Sequence, residues 1–251
     1  MLKKTAILTA AVVCSAQIFG MQDICVSKGE VSSSEGTKMS SVRKAEALMN
    51  AIISNDVDKV DQLIAENVDI NSVFDVIGMP SHRKFTPLMA AIGLGRKEIT
   101  ENLLKQKNTR INTKNFFGFS VLIDAALHNQ VDIIKMLLNH PKIDVNLRGN
   151  NGSTALMVAA HEGYTNVLEQ LLQHPKIDVN LQDNDGLTAL IHAIQAGHAD
   201  IAQVLINYPL TDISKEANGG LTALKAAVNF ENKEIIDLLL STPEHKRQRK
   251  R

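Results

Sequence analysis

Residues 152–188 read GSTALMVAAHEGYTNVLEQLLQHPKIDVNLQDNDGLT. The hydroxyl of Thr154 is placed to cap the free N–H groups of a helix that follows it. Ala155 to Ala160 is compact and apolar, and the small Ala159 and Ala160 let a neighbouring helix come close. Gly163 supplies the left-handed backbone that ends a helix. Val167, Leu168, Leu171 and Leu172 recur at helical spacing, which predicts a second helix over 166–173. His174 and Pro175 stop it, because proline cannot continue the hydrogen-bond ladder. Residues 177–180 are expected to run extended, and Asp183 to Gly186 to turn. The cycle then restarts at Thr188.

The same sentence occurs five times at a spacing of 34 residues. Thr86, Ser120, Thr154, Thr188 and Thr222 open the copies. Leu88, Leu122, Leu156, Leu190 and Leu224 follow, then Ala91, Ala125, Ala159, Ala193 and Ala227. Apolar pairs close them at Leu103-Leu104, Leu137-Leu138, Leu171-Leu172, Leu205-Ile206 and Leu239-Leu240. A fixed period of this length predicts a solenoid, in which each unit buries its apolar face on its neighbours. The helix-end phase holds Gly95, Asn129, Gly163 and Gly197, which tolerate positive φ; Glu231 departs there. The turn phase holds Gly118, Gly152, Gly186 and Gly220.

A sixth copy starts the array, with Ala47–Ala51 as first helix, Leu63-Ile64 as apolar pair and Val68–Asn71 as exit. Leu48 precedes Leu88 by 40 residues, so the connecting loop Ser72–Lys84 carries six extra residues. Loops of that kind are either functional or merely mobile. The polar Ser41–Lys44 start and the charged Glu231–Glu234 stretch fit capping ends.

The repeated string resembles the ankyrin repeat. Thr86-Pro87-Leu88-Met89-Ala90-Ala91 follows the T-P-L-x-x-A pattern, Asp144-Val145-Asn146 and Asp178-Val179-Asn180 are D-V-N copies, and Asp183–Thr188 is the D-x-x-G-x-T turn. The histidine usual after T-P-L is replaced by Met89, Ile123, Met157, Ile191 and Lys225, so its hydrogen bond is lost. The resemblance implies an all-α solenoid of helix-turn-helix units joined by β-turn fingers over 43–241. Its repeats are expected at 43–85, 86–119, 120–153, 154–187, 188–221 and 222–241.

The remainder of the chain reads differently. Residues 1–20 look like a secretory signal: Lys3 and Lys4 begin it, and Thr5–Phe19 carries no charge. Cleavage after Ala16 or Gly20 would leave a small residue at the cut. About 16 uncharged residues fall short of the roughly 20 of a membrane span, which argues against retention as an anchor. Cleavage also removes Cys14 and leaves Cys25 alone, so no internal disulfide forms. The Ser-rich remainder of 21–42 lacks the large apolar groups that offset ordering entropy and is read as a disordered linker. The tail over 242–251 carries Lys246, Arg247, Arg249, Lys250 and Arg251. It resembles a nuclear-import signal or a tether for acidic surfaces, but short charge runs are common at termini, which favours a solvated tail.

Formal charge is zero, but setting aside Lys3, Lys4, those five tail cations and Glu244 leaves 20 basic against 26 acidic residues. An acidic body argues against nucleic acid as main ligand, since phosphate binding needs clustered Lys and Arg. No phosphate-binding glycine loop, H-E-x-x-H or paired C-x-x-C occurs. His192 and His198 lie six residues apart, which is no metal-ligand spacing on a helix that ends at Gly197. His140 and His174 share one phase and read as helix-end punctuation, favourable to the helix dipole when charged. The expectation is therefore a chain that is not an enzyme and needs no metal or cofactor.

The resemblance implies that finger tips and first-helix ends line a concave binding surface. Those positions are Phe116, Phe117, Asn150, Asn151, Asn184 and Asp185 at the tips. Phe119 follows a turn glycine, and His128, His161, Glu162, Gln195 and Phe230 lie at first-helix ends. Three phenylalanines in one finger either anchor a partner or pack on the Ser72–Lys84 loop. The functional expectation is a monomeric, secreted protein-binding module, bacterial in the style of its signal. A host-directed effector is one form of it, and a periplasmic scaffold or enzyme inhibitor is the other.

Overall fold

The computed structural model describes residues 36–75, 84–115 and 117–242, with backbone alone for 36–40, 74, 75 and 84. The signal, Phe116 and residues 243–251 lie outside the described residues. Among the described residues, twelve helices come in six pairs: α1 (Gly36–Ser54) with α2 (Val57–Ala65), α3 (Pro87–Gly93) with α4 (Lys97–Leu104), α5 (Val121–Leu127) with α6 (Val131–Leu138), α7 (Ala155–Glu162) with α8 (Thr165–Leu172), α9 (Ala189–Ala196) with α10 (Ala199–Asn207), and α11 (Ala223–Asn229) with α12 (Lys233–Ser241). Strands β1 (Phe74–Asp75) and β2 (Lys84–Phe85) pair antiparallel and close the long loop at its base.

The chain divides into two units, the first running to Ala125 and including Asn139–Ile143, the second holding Ala126–Leu138 and everything from Asp144. In the first, α1 packs on α2 and α3, and α4 packs on α2 and α3. In the second, α7, α9 and α11 pack successively on one another, as do α6, α8, α10 and α12. The contact is close because the recurring alanines leave no side chain in the way. Ala91, Ala125, Ala159, Ala193 and Ala227 are all fully buried, as are Leu103, Leu137, Leu171, Leu205 and Leu239.

Five of the six first helices, α3, α5, α7, α9 and α11, start on their expected hydroxyl. The N–H groups of Met89, Ile123, Met157, Ile191 and Lys225 donate to Thr86, Ser120, Thr154, Thr188 and Thr222 at 3.2–3.4 Å. The position lacking the usual histidine is filled by burial instead: Met89, Ile123, Met157 and Ile191 are core residues. Gly163 and Gly197 end α7 and α9 with φ of +79° and +83°. Asn129 and Glu231 take the same left-handed turn at +53° and +54°, so the backbone is kept where the glycine is not.

Three expectations change. The segment at 177–180 is turned rather than extended, because the Asp178 carboxylate accepts the N–H of Asn180 at 2.9 Å and bends the chain. Asp69, Asp144 and Asp212 do the same for Asn71, Asn146 and Ser214. The first helix reaches back to Gly36, inside the stretch read as linker, because a helix already anchored by packing extends at the cost of one residue per added hydrogen bond. His140 does not favour charge at the helix end. The Nδ1 atoms of His140 and His174 accept the N–H of Lys142 and Lys176 at 3.2 Å. Burial, with Lys142 nearby, pushes the His140 imidazole below its usual range.

Candidate functional site

The D-x-N motif ties repeats together. The Asn146 side chain donates to the carbonyl of Lys176 at 2.7 Å and accepts the N–H of Asp178 at 2.9 Å. Asn180 repeats this with Leu210 and Asp212, and Asn71 with Asn108 and Arg110. These asparagines are therefore framework. A second series runs through the fingers of the second unit: Arg148 donates to the carbonyl of Gln182 and Gln182 to that of Glu216, each 34 residues on.

The tip residues divide by this test. Asn184 is held by its neighbours, its N–H on the carbonyl of Asn151 and its Nδ2 on that of Asn150, both at 3.0 Å. Asn218 bonds back to Asn184 and Asp185 in the same way. Asn151 Oδ1 accepts the N–H of Ser153 within its own turn. The side chains of Asn184 and Asn218 thus join fingers, while Asn150, Asn151 and Asn184 remain exposed. Gly152 lets this happen: with φ +80° its would-be Cβ lies 2.7 Å from Asn184 N, so only glycine admits the next finger.

In the first unit, Phe117 and Phe119 stack with ring centroids 6.0 Å apart and planes at 28°. Both are half-buried, and their turn is fixed by Asn115, whose side chain accepts the N–H of Phe119 at 2.9 Å. Their partner in the reading, Phe116, is not among the described residues.

In the second unit a polar cluster forms where α7 and α9 end. His161 and Glu162 are bonded at 3.1 Å, and the His161 ring meets His192 edge-on at 5.9 Å. His192 Nε2 lies 2.9 Å from Asp183 Oδ2, with side chains 13% and 6% exposed. The other Asp183 oxygen accepts the N–H groups of Asp185 and Leu187. Burial pushes the Asp183 carboxyl up, but the His192 bond, the Leu187 and Asp185 amides and the His192 charge hold it below the ordinary carboxylate range. His198 Nε2 reaches back to the carbonyl of His161 at 3.0 Å, and Gln195 is half-buried on the same helix as His192. His128 is half-buried at the end of α5, whereas Phe230 is 47% exposed beyond α11.

Asp183, His192 and His198 were not among the expected interface residues. The signal was available: the Asp183 phase holds Asn115, Gly149 and Ala217 elsewhere, and the His192 phase holds Asp124, Val158 and Ala226. An acid and an imidazole thus coincide in one repeat only. Among the described residues, no group of three or more His, Cys, Asp or Glu is placed to hold a metal ion, and no helix is long and apolar enough to cross a membrane.

Serial helix pairs with hydroxyl caps, left-handed helix ends and hydrogen-bonded fingers define a repeat protein. The family model for ankyrin repeats (3 copies) matches residues 48–149, 88–183 and 156–249. The chain belongs to the ankyrin repeat family, with about six repeats of paired helices stacked in series. Ankyrin repeats are typically protein–protein interaction modules and generally non-catalytic. A crystal structure of the ankyrin repeat protein EF0377 is similar over 78% of this chain and 98% of its own, at 26% identity and a TM-score of 0.70. An ankyrin repeat domain from Acinetobacter baumannii AYE shares the fold over 77% of this chain and 95% of its own, at 24% identity and a TM-score of 0.68. No curated protein matches the sequence.

Proposed function

We propose that this chain is a secreted, non-enzymatic binding module that holds a partner protein on its finger tips and first-helix ends. The observation that carries the reading is the Phe117–Phe119 stack. At the Phe117 position the corresponding fingers carry Asn151, Asp185 and Gly219, and at the Phe119 position Ser153, Leu187 and Leu221; aromatic side chains in a rigid turn supply anchoring area at little entropic cost. The cluster of His161, Glu162, His192 and Asp183 supports it as a preformed polar surface, because its side chains are already oriented by their own hydrogen bonds. The cationic, uncharged-run start at Lys3–Phe19 supports secretion, and delivery to a host cell is the form in which the cationic tail acquires a use.

The test is affinity capture with the chain beside a Phe116→Ala, Phe117→Ala double variant. Binding weaker by about 1 kcal/mol or more, with helicity unchanged, is the expected result. Loss of the cooperative melt would instead assign these rings to packing. Fractionation tests the secretion: recovery of the chain with Met1–Gly20 intact, in the cytoplasm of its own cell, contradicts it.

A further inference from the structure

Two asparagines of this chain stand directly before a glycine, Asn151 and Asn218. That pairing has a chemistry of its own. The backbone nitrogen of the following residue can attack the side-chain Cγ and close a five-membered ring, and glycine puts no Cβ in the way. Both asparagines sit in finger turns of the second unit and both are exposed, so by sequence and exposure they are alike.

Their turns are not alike. At the first, the Gly152 N–H already donates to the carbonyl of Gly149 at 3.0 Å. Gly152 is buried, a Cβ there would lie 2.5 Å from Asn184 Oδ1, and Asn151 Oδ1 accepts the N–H of Ser153 at 3.1 Å. The attacking nitrogen is engaged, the carboxamide is turned to another amide, and the next finger fills the space. In the last finger the turn is closed by Gly220, whose N–H donates to the carbonyl of Ala217 at 2.9 Å, and Asn218 stands before an additional glycine inside the turn. Gly219 has φ +80°, is exposed, and has nothing within 4 Å of where a Cβ would be. Its N–H makes no hydrogen bond among the described residues. The Asn218 carboxamide is held by one exposed hydrogen bond, from Nδ2 to the carbonyl of Asn184 at 3.2 Å.

We propose that Asn218 is a site of spontaneous deamidation, and that the reaction releases the 217–221 finger from the one before it. The Gly219 nitrogen gives its proton to solvent base and bonds to Asn218 Cγ. The Cγ–Nδ2 bond breaks, and the side-chain nitrogen leaves as ammonia. Water then opens the cyclic imide at either carbonyl and leaves aspartate or isoaspartate, with no change of oxidation state. A carboxylate now stands where an N–H donor stood. It cannot donate to the Asn184 carbonyl, so two acceptors face each other and the link is lost. The isoaspartate product also lengthens the main chain between positions 218 and 219, against the turn that Gly220 closes on Ala217. Asn151 is spared as long as its finger stays folded, because its attack must wait for a local opening.

Peptide mapping by mass spectrometry tests this, on the full chain incubated at mildly alkaline pH, folded and in urea. With each rate divided by the rate of the same site in urea, Asn218 should convert about tenfold or more faster than Asn151. A corrected ratio near one, or Asn151 leading, overturns the proposal. So does an Asn218 that stays intact in the folded chain while it converts in urea. Asn218→Asp tests the release: the amide of residue 218, bonded in the native chain to the Asp185 carbonyl at 2.9 Å, should exchange hydrogen about threefold or more faster after correction for the substitution. Unchanged exchange there would mean that the finger stays tied and that part of the proposal fails.

Discussion

At the residue scale, the period fixes the role of a position, and departures from it mark where energy is lost or used. Glu231 is such a departure. It holds φ +54° where its counterparts include Gly95, Gly163 and Gly197, and a side chain in that region costs roughly 1–2 kcal/mol. Glu231→Gly should therefore raise stability by about 0.5–1 kcal/mol once the added chain entropy is deducted, read from chemical denaturation. Asn146 points the other way: it serves two hydrogen bonds to the next repeat, so Asn146→Ala should cost about 1–2 kcal/mol by the same measurement. Asp183 sets a pH dependence. Its folded pKa lies below the unfolded value, so its contribution is present above the ordinary carboxylate pKa and is lost as pH falls through the folded one. The melting temperature should thus fall more steeply in acid for the native chain than for Asp183→Asn; equal acid limbs would remove Asp183 from the account. Much of this scale was legible in the sequence, since cap hydroxyls and turn glycines recur in register. The Asp183–His192 pair was not singled out: the two departures from the period were visible in one repeat, but their contact needed three-dimensional placement. The direction of the histidine effect was misread for a related reason: whether His140 accepts or donates depends on the Lys142 amide that the turn brings to it.

At the element scale, helix pairs form because three local signals coincide, namely a hydroxyl cap, a small-residue contact face and a left-handed stop. Each is separately testable. Thr154→Ala should remove the cap of α7 and cost about 0.5–2 kcal/mol. Ala159→Leu should cost more than the 1–3 kcal/mol of ordinary overpacking, because Ala159 lies at the α7–α9 contact where the neighbouring helix comes closest. A mild effect of Ala159→Leu in thermal melts would mean that the helices can part, against the close packing described. The existence of the repeat helices was legible throughout; their edges were less so. The extent of α1 and the turned exit after α8 depend on packing and on Asx hydrogen bonds, which hydrophobic periodicity does not encode. The β1–β2 pair was likewise outside its reach, since two-residue strands leave no periodic trace.

At the scale of the whole molecule, the regular framework leaves the irregular positions as the informative ones. The side chains of Asn184 and Asn218 join neighbouring fingers, so on the proposed function the weight of the interface falls on Phe117 and Phe119 in one unit and on the His161–His192 cluster in the other. That weighting could not be made from sequence, where framework and surface asparagines look alike. The most direct test of the binding reading is hydrogen-exchange protection of the chain with and without its captured partner. Slowed exchange is predicted at the 115–119 finger, around His161–Gly163 and around Asp183–Leu187, with the outer second helices unchanged. Protection confined to those second helices, or none on a complex that demonstrably forms, would contradict it.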